Sequence, residues 1–216
     1  AIVCSEAPPA GWIDQVQAAL GRCGLPGEVI ARSSEEWERA DLKDELTLSV
    51  LVERRVLWGT PRDPLPVVQG RARDDVLAVL ARRALAYTPP TGFDADSVLE
   101  SDGARSDLLD IRRAAVIPIV QLARWAGAAA GAIEGTTAER LLRAGQEGVL
   151  SDGDARTLSE AFELAHELRI AHHMQQLSTG ARPDDQLEPS TLSPLTRDHL
   201  RDVFRAVSGV QRRLRG

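Results

Sequence analysis

Residues 110–131, DIRRAAVIPIVQLARWAGAAAG, set the fold. A charged head, Asp110-Ile111-Arg112-Arg113, leads into a run that is apolar on nearly every side from Ala114 to Val120. Gln121 and Arg124 interrupt it, and Trp125 restores bulk. A helix apolar all round is a buried central one, packed against several others. It does not read as a membrane span. Pro118 and Arg124 both fall inside it, much of its apolar content is alanine, and a central arginine costs roughly 2.5–3.5 kcal/mol on insertion scales. The surrounding chain should therefore supply helices that cover it.

From residue 71 onward the periodicity does so. Arg71 to Tyr87 places Val76, Val79, Leu80 and Arg83 in i, i+3, i+4, i+7 relation. A loop of mixed polarity is expected from Thr88 to about Asp107. Thr136-Thr137-Ala138-Glu139 matches a capping box opening a short helix. Ser151-Asp152-Gly153-Asp154 opens the next, which should run to Leu177 with Leu158, Phe162, Ala165 and Leu168 or its neighbour Arg169 inward and Glu160, Glu163 and Glu167 outward. Gly180 to Pro189 reads as a polar connection. Ser193 with Pro194 supplies a cap and a favoured first helical residue for a final helix, with Leu200, Phe204, Val207, Val210 and Leu214 inward. The expected fold class is mainly α: a C-terminal helical bundle over 65–216, preceded by a small α/β portion over 1–64.

In that first portion Ala1 to Cys4 reads as a short buried strand and Trp12 to Cys23 as a helix stopping at Gly24. Ser33 to Trp37 has a plausible cap followed by acidic residues. Leu46 to Trp58, LTLSVLVERRVLW, fits either period; a passage from helix to strand is the expectation, with Glu53 and Arg55 on one face of a strand from about Leu51 to Trp58. Gly59 to Gly70 holds three prolines and reads as a connection between domains.

Composition bounds the function classes. A net charge of −6 argues against a general nucleic-acid binder, which needs a basic face. Two cysteines, Cys4 and Cys23, are too few for a disulfide framework or a cysteine zinc site, and a reducing cytoplasmic setting is expected. No signal peptide is visible at the start, AIVCSEAPPAGW. The chain opens on Ala1 in what reads as the end of a strand, so a fragment of a larger protein is expected. His166, His172, His173 and His199 are the only histidines; H-E-x-x-H, Walker A, G-x-G-x-x-G and G-x-S-x-G patterns do not occur.

Two groupings of residues invite chemistry. Arg112 and Arg113 could clamp phosphate oxygens bidentately, with Asp110 capping the helix, holding an arginine or helping to hold a metal. An ordinary N-cap with two solvated arginines explains the same spacing. Glu53 on a strand could hold a divalent cation, as phosphoryl-transfer sites require, and a solvated strand face explains it equally. Arg124, if buried, needs a carboxylate partner.

The segment Asp110 to Leu214 carries DIRR-x4-PIV, TTAERL, a Gly-Val-Leu-Ser turn, AFELAHELRI-x-HH, STGARPDD and LSPLTRDHLRDVFRAVSGVQ. It resembles the substrate-binding domain at the C-terminus of bacterial signal-transduction nucleotidyltransferases that carry cyclic-nucleotide-binding and CBS modules, similar to protein-PII uridylyltransferase. The resemblance extends to Val52–Thr60, VERRVLWGT, where that family has a strand of the form Phe-Asp-Leu-Arg ending in Gly-Asp. Glu53 then takes the Asp position and Arg55 the Arg position, while Thr60 replaces the final acid. It implies transfer of a nucleoside monophosphate, uridylyl or adenylyl, from an NTP to a protein or small-molecule acceptor. Glu53 would be the third catalytic carboxylate and a Mg²⁺ ligand; Arg55, Asp110, Arg112 and Arg113 would contact substrate. The family's Gly-Ser loop and paired-aspartate strand are not in this sequence, so the chain alone should be inactive, and the parent protein would be the enzyme where it keeps those parts. No nucleic-acid or membrane partner is implied. A homodimer is a further expectation, because the amphipathic last helix suits a dimer as well as the bundle. The alternative is a non-catalytic regulatory or protein-interaction module that kept the fold.

Overall fold

The computed structural model describes residues 2–4, 9–23, 29, 31–33, 36, 39, 47–48, 52, 72–94 and 97–215. The chain divides into two compact units, Ala1–Val67 and Val68–Gly216. In the first unit β1 (Ile2–Cys4) and β2 (Ala31–Ser33) pair in parallel, Ile2 opposite Ala31 and Cys4 opposite Ser33. Parallel neighbours need a crossover. Helix α1 (Trp12–Arg22) lies between them in sequence, and its apolar positions Trp12, Ile13, Val16, Ala19 and Leu20 are half-buried while Cys23 is exposed. Thr47, Leu48 and Val52 are buried and helical. Thr47 and Leu48 are helical as expected, but Val52 is helical too, which corrects the expected strand start at about Leu51. Residues 53–60, with Glu53 and Arg55, lie outside the described residues.

The second unit is mainly α. It contains α2 (Ala72–Ala86), α3 (a π-helical turn Arg112–Val116 continuing as Ile117–Ala129), α4 (Thr137–Gln146), α5 (Asp152–Ser178) and α6 (Pro194–Arg215). Helix α3 touches all four others: α2 and α4 along its length, α5 and α6 chiefly through its first turn. Ile111, Ala115, Ile119, Leu122 and Ala126 are fully enclosed, as the all-round apolar pattern requires. The π-helical turn has a local cause. Pro118 cannot donate, and in a regular α-helix its ring would strike the carbonyl four residues back. The preceding turn opens instead, with Ile117 N–H donating to Arg112 O five residues back.

Caps fix the lengths of the other helices. Thr136 and Glu139 form the reciprocal capping box of α4, and the Ser151 hydroxyl caps α5 through Asp154 N–H. At the far end of α2, buried Gln211 of α6 donates to Ala84 O (2.8 Å) and Tyr87 O (2.7 Å), satisfying two terminal carbonyls. Arg73 Nη2 does the same for Ala129 O of α3 at 2.7 Å. Between α2 and α3, where an irregular loop was expected, the chain forms a small antiparallel sheet of β3 (Gly92–Phe93), β4 (Val98–Leu99) and β5 (Arg105–Ser106). Phe93 packs edge-on against Phe204, and Arg201 Nε donates to Phe93 O at 2.7 Å, which pins this sheet to α6. A second pair, β6 (Leu109–Asp110) with β7 (Gln186–Leu187), joins the start of α3 to the connection after α5.

Candidate functional site

The site is built where that last pair brings two remote polar segments together. Asp110 is the final residue of β6, opposite Gln186. Its Oδ1 accepts from Arg113 N–H at 2.9 Å, the geometry of an N-cap, and Gln186 Nε2 donates to its Oδ2 at 3.4 Å. Ile111 N–H, another donor that a helix start leaves without a partner, donates to Asp185 O at 3.0 Å. Asp110 is therefore occupied as a cap. Arg112 and Arg113, directly after it, are exposed.

The connection after α5 reaches this point because of how α5 ends. Gly180, at φ 75°, is left-handed; its N–H donates to Leu177 O and that of Ala181 to Gln176 O. This pair of bonds reverses the chain, and only glycine takes such a φ without strain. Residues 182–187 then run back along α5. Facing them on that helix are Arg169, His172, His173 and Gln176, spaced i, i+3, i+4, i+7 and so on one side. Gln176 Oε1 accepts from Asp184 N–H at 2.9 Å, and His172 Nε2 lies 3.4 Å from Asp184 Oδ1. Asp185 Oδ1 receives Arg169 Nε at 2.5 Å and His173 Nε2 at 2.9 Å. Arg169 Nη2 adds a contact to Oδ2 at 3.4 Å.

These partners set the electrostatics. The Gln186 N–H, the Gln176 amide and His172 hold the Asp184 carboxyl below the usual carboxylate range, against a smaller opposing effect of burial. For Asp185 burial pushes upward, but the hydrogen bonds and charges of Arg169 and then His173 outweigh it and lower the value. Both carboxylates are thus ionised and already paired with cationic or donor groups. His166 stands apart: it packs edge-on to Phe162 at 4.5 Å, and burial with the nearby Arg169 lowers its pKa.

Four elements therefore converge on one end of α3: the Asp110–Arg113 head, the Arg169–Gln176 stripe, the Asp184–Asp185 pair and Gln186. Sequence spacing singled out only the first. The second was legible as a polar stripe at helical period on the side of α5 that turns toward the connection. Glu53 and Arg55 are not placed, since they lie outside the described residues. Arg124 is half-buried in α3 and away from this end. Among the described residues no group of three or more His, Cys, Asp or Glu could hold a metal ion. Asp185 has both oxygens turned to Arg169 and His173, and Asp184 Oδ1 accepts from Gln186 N–H beside His172, so this donor set does not fit Mg²⁺. Also among the described residues, no helix is long and apolar enough to cross a membrane.

Residues 74–216 match the family model described as "Putative nucleotidyltransferase substrate binding domain". The chain belongs to this family. Every residue of the converging site lies inside the matched segment, and α3 is the central helix of this substrate-binding domain. Comparison with curated proteins and with solved structures finds no match.

Proposed function

We propose that the helical unit recognises the substrate of a nucleotidyltransferase that moves a nucleoside monophosphate from an NTP to a protein or small-molecule acceptor. The observation that carries this reading is the exposed pair Arg112 and Arg113, held at the end of the central helix by a polar network. Two guanidinium groups on adjacent residues present fork-shaped donors suited to phosphate oxygens. Asp110 serves this pair as its cap and not as a ligand. By the family resemblance Arg55 would also contact substrate in the intact enzyme.

In the intact enzyme Glu53 would be the carboxylate that binds Mg²⁺, and the ion would neutralise the triphosphate. The setting proposed is cytoplasmic. Titration of the chain with ATP and UTP tests recognition directly. Arg112→Ala combined with Arg113→Ala should weaken binding by about tenfold or more, since hydrogen bonds to charged groups contribute ~1.5–3 kcal/mol each. Unchanged affinity would leave two solvated arginines beside a cap. Pyrophosphate release by a protein carrying the nucleotidyltransferase module tests the reaction; its survival in Glu53→Gln would remove Glu53 from the site. If neither binding nor release is found, the chain is a regulatory or interaction module.

A further inference from the structure

The connection 179–187 is held by unusual means. Every side chain from Thr179 to Asp184 is exposed, and Leu187 is the first to enter the core. Between the Gly180 reversal and Leu187, polar bonds to α5 hold the strap in place. Asp185 is its most engaged residue, with Arg169 Nε, Arg169 Nη2 and His173 Nε2 all directed at one carboxylate. The backbone of that same residue accepts the Ile111 N–H, and its neighbour Gln186 reaches Asp110. One residue thus grips α5 with its side chain and the start of α3 with its carbonyl.

We infer that Asp185 is a positioning residue for the Arg112–Arg113 pair, fixing the helix head from which both guanidinium groups reach a phosphate-bearing substrate. This rests on the proposed role of that pair in substrate recognition. Arginine side chains lose much rotamer freedom on binding, so a fixed backbone beneath them lowers the entropy they must still give up. Asp185 need not touch the ligand. It acts by keeping Ile111 and Arg113 bonded at the helix start, while the contacts of Arg169 and His173 with its carboxylate keep the strap seated.

The test uses the 216-residue chain with ATP, UTP and inorganic triphosphate as separate calorimetric probes, together with amide hydrogen exchange. In Asp185→Ala, exchange at Ile111 and Arg113 should quicken while core amides of α3 such as Leu122 stay protected. Probe binding should weaken about tenfold, within the coupling range of groups in one network. Asp185→Asn, which keeps the acceptor oxygen, should fall between the two. In the Arg112→Ala, Arg113→Ala background, Asp185→Ala should cause no further loss, a non-additivity that general destabilisation would not produce. If the arginine variant loses binding but Asp185→Ala binds as tightly as the unaltered chain, the positioning role is wrong and the recognition reading stands. Equal losses in both backgrounds, or unchanged exchange at Ile111, also overturn it. If the arginine variant binds every probe normally, or no probe binds the unaltered chain, the recognition reading fails and takes this inference with it.

Discussion

Four helical glycines in the second unit should respond to the same substitution with opposite signs, because what a new Cβ would meet differs at each. At Gly127 it would lie 2.7 Å from Ala132 O and 3.2 Å from Arg140 Cβ. The first is backbone in the reversal that ends α3, where Ala132 N–H donates to Gly127 O at 2.7 Å. The second belongs to α4, packed across the glycine. At Gly145 the new atom would be 2.9 Å from Ala155 Cβ, fixed to the backbone of α5. At Gly209 the nearest atom is the far end of Arg213, 3.8 Å away, and at Gly153 it is Ser151 Oγ at 3.9 Å.

Where space exists, Gly→Ala stabilises by about 0.4–1 kcal/mol, by narrowing the unfolded ensemble. Where a backbone must give way, overpacking costs about 1–3 kcal/mol. Gly209→Ala and Gly153→Ala should therefore raise the urea midpoint, and Gly127→Ala and Gly145→Ala should lower it. The two pairs should differ by roughly 1–3 kcal/mol, the overpacking cost itself. Urea unfolding followed by circular dichroism measures this, provided the slope m is shared across the four variants. If Gly127→Ala or Gly145→Ala stabilises as much as Gly209→Ala, then α3, α4 and α5 do not approach as closely as described. That would refute the packing on which the central position of α3 rests.

Gln211→Met keeps volume but leaves Ala84 O and Tyr87 O without their donor, and should cost about 1–3 kcal/mol in the same urea assay. A loss near zero would mean that solvent satisfies both carbonyls. Asp185 should link stability to acid pH. Its native pKa lies below the unfolded value of about 3.9, so the unfolded state binds more protons in that window and stability falls as pH drops. The contribution is complete above about pH 4–5 and lost as pH falls through the native value, so Asp185→Asn should flatten the decline between about pH 5 and pH 3. Equal slopes in both proteins would detach Asp185 from Arg169 and His173. Pro118→Ala restores an N–H and removes the ring, so the turn at 112–116 should return toward ordinary α-helical bonding. Loss of the Ile117 N–H to Arg112 O bond, followed by amide chemical shifts of 112–118, checks it; an unchanged turn would assign it to packing and not to the proline.

Helices were legible because each carries a signal longer than one turn. Thr136 with Glu139, Ser151 and Ser193 each marked a helix start that the structure reproduces. The inward residues of α5 and α6, Leu158, Ala165, Leu200, Phe204, Val207 and Val210, are buried as their spacing required. The strands of the second unit were not legible for the converse reason. Each is two residues long, too short for alternation to register, and their partners are set by long-range packing. The π-helical turn escaped because Pro118 in an apolar run signals a disturbance without saying how the backbone absorbs it.

The site was half-legible, and the division follows from what pairs with what. Asp110 announced itself, since an acid before a helix nearly always caps it, and here it does. Arg169, His172, His173 and Gln176 share one face of α5 at regular spacing, yet two histidines six and seven residues after His166 suggest no ligand pair and draw no notice. Their meaning depends on Asp184 and Asp185, which sit beyond a reversal that only Gly180 foretells. No periodicity rule carries a helix face across such a turn to the carboxylates that return along it. The two halves become one site only through β6 and β7, a pairing of Asp110 with Gln186 across 76 positions of sequence. Long-range pairing of this kind ties the arginine pair to a polar network as well as to the apolar core that Ile111 and Ala114 enter. The head can therefore respond to substitutions in the strap while the bundle beneath it stays folded.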